Sequence, residues 1–531
     1  MRVLRRTLGT LLVLGAAVSC AASPDADADA DARPGDGRPA ALAPYAQLLP
    51  APASARAEGP GYAVGAGTVI RTGPGGDEEV RRVGELLAEQ LRAPSGLPLP
   101  VVDGAGGDGI RLRLDAQAQG TGAEGYRLES GPGGVTLTAR TPAGLFHGGQ
   151  TLRQLLPVAG PGTVPGGEIT DAPRFAYRGA MLDIARHSFS AEQVKRYVDQ
   201  LAQYKVNTLH LHLTDDQGWR IAIDSWPRLA EYGGGSEVGG GPGGYWTKDQ
   251  YRDLVAYAAQ RYVDVVPEID MPGHVNAAQA SYAELNCDGK ARERYTGIKV
   301  GFSSLCVGKE RTYEFIDEVL GELAELTPGR YLHIGGDEAH STPAADYAAF
   351  MDRAQQIVGR HGKTVVAWHQ LATARPAPGA VLQYWGHDRT GAAEKAAVAA
   401  AAKAGHPLIL SPADRLYLDM KYDLTTKPGL AWAGFVPVRR AYDWNPGTYL
   451  AAAGVPQSAV LGVEAALWTE TIATRADLEF MAFPRVLGLA EMGWSPGPVD
   501  WTEYSRRVAA QGPRLDAQGI TYYRAPDVPW S

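Results

Sequence analysis

The chain has 531 residues, of which 45% are hydrophobic and 21% charged, so it can bury a large core and form more than one domain. Its length excludes a single small binding module. The formal net charge is -8 and no long run of Lys or Arg occurs, which excludes the electrostatic footprint of a protein that binds nucleic acid or an anionic membrane surface. A neutral or polar partner fits this composition better.

Residues 1–20 have the pattern of a signal peptide. Arg5 and Arg6 precede an apolar stretch from Leu8 to Val18, which is too short to span a bilayer. The stretch ends in Ala-Val-Ser-Cys and resembles a bacterial lipobox, in which Cys20 would carry the lipid. Lipid anchoring through Cys20 and plain secretion both remain open. We therefore expect a secreted or extracellular protein, with anchoring at the cell envelope as the alternative.

Residues 21–40 consist mostly of Asp, Ala, Pro and Gly, and they contain too little apolar surface to fold. This composition predicts a disordered linker. From residue 41 to residue 172, β-like and helix-like runs are mixed, which predicts a compact α+β domain. A turn at 171–173 closes it, because Pro173 and its predecessor resist helix continuation. The runs are Tyr62 to Ile70, Ile110 to Leu114, Gly125 to Leu128 and Gly134 to Ala139 for strands, and Glu78 to Leu91 and Ala143 to Leu155 for helices.

From residue 173 to residue 531, eight buried-strand patterns alternate with helical ones. This alternation predicts an α/β fold, a (β/α)8 barrel. The predicted strands are Gly179 to Ile184, Thr208 to Thr214, Val263 to Ile269, Tyr331 to Gly335, Thr364 to Trp368, Val381 to Trp385, Pro407 to Ser411 and Ala459 to Trp468.

Polar and aromatic residues concentrate just after these strands. In a barrel, the carboxyl ends of the strands build the active site. The residues at those positions are Arg186, Asp215, Asp216, Asp270, His274, Asp337, Glu338, Trp368, Trp385 and Glu470.

Once Cys20 is assigned to processing, Cys287 and Cys306 are the remaining thiols. In an exported protein a disulfide between them is the natural interpretation, with two free buried cysteines as the alternative. Neither cysteine belongs to a metal-ligand cluster, and two cysteines alone cannot form a Cys-rich zinc site.

The most informative motif is His333-Ile-Gly-Gly-Asp-Glu, an apolar strand that ends in two glycines and two adjacent carboxylates. The glycines permit a tight exit from the strand and close approach of a ligand. Asp337 and Glu338 repel each other beside a pocket, so one of them is expected to have a raised pKa and to serve as a general acid. A surface helix cap is the alternative interpretation, because Asp and Glu favour helix N-termini.

Two further strands end at carboxylates, in the strings Pro-Glu-Ile-Asp-Met-Pro-Gly-His and His-Leu-His-Leu-Thr-Asp-Asp-Gln-Gly-Trp-Arg. Asp215, His274 and Glu338 are predicted to form a relay in which the aspartate orients the imidazole and the imidazole tunes the acid. No His-x-x-x-His pair occurs on a predicted helix and no P-loop pattern occurs, so we expect neither a metal nor a cofactor.

These strings, together with Leu-Asp-Ile-Ala-Arg-His at 182–187, resemble the bacterial β-N-acetylhexosaminidases of glycoside hydrolase family 20, relatives of the lysosomal hexosaminidases and chitobiases. The likeness extends over roughly residues 45 to 510. It implies a (β/α)8 catalytic barrel preceded by a smaller, noncatalytic α+β domain. It also implies hydrolysis of terminal β-linked N-acetylglucosamine or N-acetylgalactosamine from glycans or chitooligosaccharides, with the substrate's acetamido group as the nucleophile and with net retention.

By this resemblance, Glu338 is the acid/base and Asp337 orients and stabilises the acetamido group, whose oxygen accepts a hydrogen bond from Tyr417. His274 and Asp215 complete the catalytic group. The remaining matched residues are expected to bind the substrate, as aromatic walls, as partners of the sugar hydroxyls, or, for Trp432, near the aglycone. They are Arg186, Asp270, Trp368, Trp385, Asp419, Trp432, Trp468 and Glu470.

Two other hypotheses stay open at this stage. A conventional two-carboxylate glycosidase of the same barrel class would act on a sugar without an acetamido group and would form a covalent intermediate on an Asp or Glu. A glycan-binding lipoprotein would keep the pocket but lack turnover. An assay with a chromogenic N-acetylglucosaminide separates these hypotheses.

Overall fold

The computed structural model describes residues 44–530 except Pro74, Ala105, Pro498 and Val499. The predicted signal peptide, the predicted linker and Cys20 lie outside the described residues. Within the described part of the chain, none of the helices combines the length and the apolar character that a membrane span requires.

The N-terminal region forms a mixed seven-stranded sheet in the order β1-β9-β6-β7-β5-β3-β4, with β2 and β8 as a separate antiparallel pair. The strands are β1 (Ser54–Ala57), β2 (Tyr62–Ala63), β3 (Ile70–Arg71), β4 (Val101–Val102), β5 (Ile110–Leu114), β6 (Tyr126–Gly131), β7 (Gly134–Ala139), β8 (Thr163–Val164) and β9 (Gly167–Asp171). Two helices, α1 (Glu78–Ser95) and α2 (Pro142–Leu155), accompany this sheet.

Local sequence explains the bounds of α1. The Asp77 side chain accepts hydrogen bonds from the backbone N–H groups of Glu79 and Val80, so it caps the N-terminus. Gly96 ends the helix with φ of 69°, a conformation that suits glycine. The buried face includes Val80 and Leu91, so the helix packs its apolar stripe inward.

The predicted β-like run from Tyr62 to Ile70 is wrong as a single strand. The structure divides it into β2 and β3, because a turn intervenes in which the N–H of Thr68 donates to the carbonyl of Gly65. The strand predicted at 134–139 and the start of α1 at Glu78 agree with the structure.

Eight parallel strands close into a barrel in which the last strand pairs with the first. The strands are β10 (Tyr177–Asp183), β11 (Thr208–His212), β12 (Asp264–Glu268), β13 (Tyr331–His333), β14 (Thr364–Trp368), β15 (Val381–Tyr384), β16 (Leu408–Leu410) and β17 (Val460–Leu467). This confirms the predicted (β/α)8 architecture preceded by a smaller α+β region.

Helices of varied length connect and follow these strands. They are α3 (Ala191–Ala202), α4 (Lys248–Ala259), α5 (Asn276–Ser281), α6 (Glu310–Leu326), α7 (Ala344–Arg360), α8 (Ala392–Lys403), α9 (Ala413–Leu416), α10 (Val438–Tyr442), α11 (Arg475–Ala482), α12 (Arg485–Trp494) and α13 (Trp501–Ala517). Short 3-10 turns occupy Pro44–Gln47, Val238–Gly240, Ala283–Leu285, His369–Thr373, Ala451–Ala453 and Gln457–Ala459, and a π turn occupies Leu229–Gly233.

Several barrel strands end earlier than the apolar pattern predicts. Strand β11 ends at His212 instead of Thr214, and β13 ends at His333 instead of Gly335. The apolar run continues past the last ladder hydrogen bonds because the residues beyond it are still buried. The loops that carry the functional side chains therefore begin inside the predicted strands.

A buried ion pair joins the N-terminal domain to the barrel. Asp171, at the end of β9, lies 3.0 Å from the ammonium of Lys205 and accepts hydrogen bonds from Tyr126 and Trp494. These four side chains are buried, so removal of either charge would leave the other uncompensated. The two domains therefore share a specific polar contact as well as apolar packing.

Candidate active site

The loop after β13 brings the two adjacent carboxylates to the mouth of the barrel. Gly335 and Gly336 both have positive φ, and a Cβ on Gly335 would lie 1.7 Å from the Oδ1 of Asp270. That same oxygen accepts a hydrogen bond of 3.0 Å from the N–H of Gly336. Only glycine at 335 allows this approach, so Asp270 holds the turn that presents Asp337.

The two carboxylates occupy different environments although they are neighbours in the chain. Asp337 is buried, whereas 29% of the Glu338 side chain is exposed. Glu338 and His274 have φ of 44° and 57°, in the left-handed region that residues other than glycine rarely occupy. Such strained backbone concentrates at functional sites, because the surrounding structure must hold it.

The structure brings the three residues of the predicted relay close together. Nδ1 of His274 lies 3.2 Å from Oδ1 of Asp215, and Nε2 lies 3.4 Å from Oε2 of Glu338. Asp215 also contacts the guanidinium of Arg186 at 2.7 Å. The imidazole therefore stands between a buried, paired aspartate and the glutamate that faces the pocket.

These contacts determine the charges of the relay. Burial opposes the charged form of His274, but Asp215 and Asp337 together raise its pKa well above the ordinary value. Burial likewise disfavours ionised Asp215, yet Arg186 and His274 hold its pKa below the ordinary range. A cationic imidazole thus lies next to an ionised aspartate at neutral pH.

Burial raises the pKa of Asp337, and the nearby Glu338 carboxyl raises it further. Burial and the charge of Asp337 also raise the pKa of Asp270. In the adjacent pair the raised pKa therefore belongs to Asp337, which the resemblance assigns to the acetamido group and not to the acid role that a raised pKa was expected to mark.

Four aromatic side chains enclose the space beside the carboxylates. The rings of Tyr417 and Trp385 stack with 6.5 Å between centroids, and Trp432 meets Tyr417 edge-on at 5.8 Å. Trp468 lies 6.0 Å from Tyr417. Trp432 is 45% exposed, so the space enclosed by the four aromatic side chains is closed at its base and open at its outer edge.

Together these groups line a pocket of about 420 Å³, within the size range of small-ligand sites. Ten predicted residues line it, namely Arg186, His274, Asp337, Glu338, Trp385, Tyr417, Asp419, Trp432, Trp468 and Glu470. Asp215, Asp270 and Trp368 lie behind this lining. Trp368 is fully buried with its ring 5.8 Å from that of Trp468, so it supports the wall instead of forming it.

The sequence interpretation missed four lining residues, Ile298, Val300, His387 and Leu430. His387 follows β15 closely, so the strand-end rule could have found it. Ile298 and Val300 lie in an irregular segment with no periodic pattern. That segment is closed by a disulfide between Cys287 and Cys306, the pair named from the sequence, and Ser303 anchors it to Asp216 at 2.6 Å.

Two further carboxylates of the lining lack partners. Both oxygens of Asp419 and Oε2 of Glu470 are buried without a hydrogen-bond partner among the described residues. Burial and the charge of Glu470 raise the pKa of Asp419. Such unpaired acceptors suit the hydroxyl groups of a bound sugar.

Below the pocket, His and carboxylate side chains form a buried cluster inside the barrel. Oε2 of Glu268 accepts from His210 at 3.1 Å and from His212 at 2.5 Å, and His333 lies 2.9 Å from Oε1. Four groups of three side chains in this region are close enough to share a cation. Hydrogen bonds and ion pairs already connect the members of the first group, His210, Glu268 and His333.

A (β/α)8 barrel whose strand ends carry adjacent carboxylates inside an aromatic pocket has the construction of a glycoside hydrolase. Comparison with known families specifies this class. The glycosyl hydrolase family 20 catalytic domain matches residues 175–497, and domain 2 of the same family matches residues 45–172. The chain therefore belongs to glycosyl hydrolase family 20, which confirms the resemblance noted in the sequence.

Individual relatives agree with this assignment. The β-N-acetylhexosaminidase of Cellulomonas fimi is 42% identical over 480 residues, which cover 89% of this chain and 95% of that protein. The solved β-N-acetylhexosaminidase of Streptomyces coelicolor A3(2) is 61% identical, with a TM-score of 0.89 over 92% of this chain and 99% of that one. The Streptomyces plicatus enzyme in complex with Thio-NAglucal is also 61% identical, with a TM-score of 0.90 over 93% and 99% of the two chains.

Proposed function

We propose that the protein removes terminal, non-reducing β-linked N-acetylglucosamine or N-acetylgalactosamine from glycans or chitooligosaccharides. The reaction retains the anomeric configuration, and the 2-acetamido group of the substrate is the nucleophile. The activities that name the relatives support this proposal. It requires the acetamido group to enter the pocket beside Asp337 and the aromatic side chains.

The proposal depends on one observation, which is that Asp337 and Glu338 both lie close to the imidazole of His274. Nε2 of His274 lies 3.8 Å from Asp337 and 3.4 Å from Glu338, so both acids stand on the same side of the pocket. A conventional retaining enzyme needs its acid and its nucleophile on opposite sides of the scissile bond. Adjacent acids instead suit a divided task, in which one serves the leaving group and the other the acetamido group.

Glu338 is the acid/base in this scheme. It gives a proton to the glycosidic oxygen while the bond from that oxygen to the anomeric carbon breaks. After departure of the aglycone, Glu338 takes a proton from the incoming water, whose oxygen bonds to the anomeric carbon while the bond from that carbon to the acetamido oxygen breaks. The positive charge on His274, stabilised by Asp215, lies beside the glutamate and stabilises the carboxylate that the first step leaves.

Asp337 acts on the acetamido group. As the carbonyl oxygen bonds to the anomeric carbon, positive charge develops on the amide nitrogen, and a carboxylate that accepts its N–H stabilises that charge. Burial raises the pKa of Asp337. The developing charge favours the ionised carboxylate, so the stabilisation is largest in the transition state.

The other lining residues position the sugar. The Tyr417 hydroxyl donates to the carbonyl oxygen of the acetamido group, between the rings of Trp385 and Trp468. Asp419 and Glu470 accept hydrogen bonds from sugar hydroxyls, and Arg186 donates to them. Trp432, at the exposed edge, stacks against the aglycone.

We also propose that the protein acts outside the cytoplasm, with a lipid on Cys20 as the alternative to free secretion. The signal-like N-terminus supports export. The Cys287–Cys306 disulfide is compatible with an oxidising compartment.

The test of the catalytic proposal is Asp337→Asn, which removes the charge and nearly preserves the shape. We expect kcat to fall much more than substrate binding, because the lost interaction forms chiefly in the transition state. A thiazoline that mimics the cyclised intermediate should bind the wild type tightly and the variant weakly. Asp352→Asn, at an exposed position of α7, is the matched control and should behave like the wild type.

The corresponding glucoside lacks the acetamido group and should be nearly inert with the wild-type protein. Rapid hydrolysis of the glucoside, together with a sugar ester trapped on an Asp or Glu, would instead establish the conventional two-carboxylate mechanism. Binding of the chromogenic N-acetylglucosaminide without turnover would establish the glycan-binding alternative.

A further inference from the structure

A second cavity, of about 540 Å³, lies between the N-terminal domain and the barrel and shares no lining residue with the active-site pocket. Helices α1 and α2 and the segment after α2 line one side, and residues from α3 and α13 line the other. Much of the wall is apolar. The apolar side chains include Val64, Leu86, Leu91, Leu99, Leu156 and Val158.

Three guanidinium groups also line this cavity, and two of them are engaged by the protein. Arg261 forms an ion pair with Asp199. Arg514 donates to the backbone carbonyls of Gln154 and Leu156, both at 2.6 Å, at the C-terminal end of α2. The charges of these two side chains are thus offset by a carboxylate and by helix-end carbonyls respectively.

Arg153 is the exception. It is 9% exposed, and its Nε and Nη2 atoms are buried without a hydrogen-bond partner among the described residues. Among those residues, none of the acidic side chains forms an ion pair with it. Glu89, the other acid of the lining, is exposed to solvent. The charge of Arg153 also disfavours the nearby Arg514 cation, whose pKa burial and this repulsion lower to about 10.

A buried guanidinium without an acceptor is unusual, because buried charges are normally paired and buried polar groups are normally hydrogen-bonded. An anion in the cavity would supply the hydrogen-bond acceptor that the protein does not provide to Arg153. Nε and Nη2 form the edge of the guanidinium that binds both oxygens of a carboxylate. The apolar wall and the cavity volume favour a ligand with more than an anionic head.

We propose that this cavity binds a molecule that carries one carboxylate on an apolar body, with the carboxylate against Arg153 and the body against the leucine and valine side chains. The site is independent of the proposed hydrolysis, since the two cavities have no residue in common. Its location between the two domains means that a bound ligand would contact both.

Sodium octanoate is the probe, and 1-octanol is its uncharged counterpart. We expect isothermal titration of the wild-type protein to show one octanoate site, with 1-octanol at least about tenfold weaker because it cannot make the charge-assisted hydrogen bonds. Equal binding of the two probes, binding of inorganic sulfate alone, or no binding of octanoate would overturn the proposal.

Arg153→Met keeps an unbranched side chain and removes the charge, so it should weaken octanoate binding by at least about tenfold. Arg140→Met is the matched control. This residue is exposed and lies two positions before α2, at the end opposite Arg153, and its substitution should leave octanoate binding unchanged. Turnover of a chromogenic substrate should be the same in both variants and unaffected by octanoate.

A purely structural role for Arg153 predicts a different result in thermal melts. If the guanidinium serves to bind a ligand, Arg153→Met should keep or raise the melting temperature of the ligand-free protein. Octanoate should then raise the melting temperature of the wild type only. A lower melting temperature of the ligand-free variant, with octanoate binding intact, would show that Arg153 serves the fold and not a ligand.

Discussion

Two clusters of carboxylates, one inside the barrel and one at its mouth, differ in what surrounds them. Inside the barrel, three imidazole nitrogens lie within 3.1 Å of the oxygens of Glu268. At the mouth, neither oxygen of Asp419 has a partner among the described residues, and Asp337 and Glu470 each have one oxygen without a partner. Acidic side chains lie among histidines in the first cluster and among aromatic rings in the second, and only the second cluster borders the pocket.

The pKa directions follow this difference. Burial disfavours ionised Glu268, but His333 and His212 hold its pKa well below the ordinary range. Burial raises the pKa of Asp419 and of Asp337, and neighbouring carboxyl groups raise both further. A carboxylate with hydrogen-bond partners therefore stabilises the fold. A carboxylate without them lowers stability, and its oxygens are available to a ligand.

The largest expected effect falls at the mouth. Glu338→Gln removes the acid proton and keeps the shape, so turnover of chitobiose should fall by about 10²–10⁴-fold. The loss should be smaller with a substrate whose leaving group needs no proton. Comparison of kcat/KM for the two substrates measures this, and an unchanged rate on chitobiose would remove Glu338 from the acid role.

The next effect falls inside the barrel. Glu268→Gln removes the shared partner of His210, His212 and His333, so the free energy of unfolding should fall by about 3–5 kcal/mol. Denaturant unfolding measures this loss. A variant as stable as the wild type would mean that the imidazoles do not depend on the charge of Glu268, and the contrast between the two clusters would be wrong.

Asp419→Asn is the corresponding change at the mouth and should act in the opposite direction. It removes a buried carboxyl whose ionisation is opposed by burial and by Glu470, so the ligand-free protein should gain about 0.5–2 kcal/mol of stability. At the same time kcat/KM should fall about tenfold or more, because an acceptor for a sugar hydroxyl is weakened. Loss of stability in this variant would place Asp419 with the structural carboxylates.

The sequence was sufficient for the barrel and for the core of the site, because both leave strong local patterns. Eight apolar runs with helices between them predict the closed sheet, and carboxylates after those runs predict Asp337 and Glu338 at its mouth. Motif likeness added Tyr417 and Trp432, which no periodicity would have identified. Their positions in the lining agree with that likeness.

Other features depend on contacts that a sequence pattern cannot show. Ile298 and Val300 reach the pocket from an irregular segment, held by a disulfide and by the Ser303 contact with Asp216. Trp368 stands at a strand end like the lining residues, but it is fully buried behind Trp468. The missing partner of Arg153 is likewise a property of packing between domains.

The smallest expected effect is a difference in the pH dependence of stability. Burial opposes the charge on His210, but Glu464 and Glu268 raise its pKa from 6.5 to about 9. A raised folded-state pKa contributes stability that is complete below the unfolded-state pKa and is lost as the pH rises through the folded-state value.

The melting temperature should therefore decline between about pH 7 and about pH 10. In Glu268→Gln, the lost carboxylate lowers the folded-state pKa of His210, so the decline should be smaller and should end at a lower pH. Asp419→Asn leaves Glu268 and Glu464 beside His210, so it should keep the His210 part of the alkaline decline. The raised pKa of Asp419 costs stability as the pH rises from the ordinary carboxyl pKa, about 4. Melting curves of the three proteins from about pH 4 to about pH 10 measure both windows. An identical alkaline decline in wild type and Glu268→Gln would show that Glu268 does not set the charge of His210.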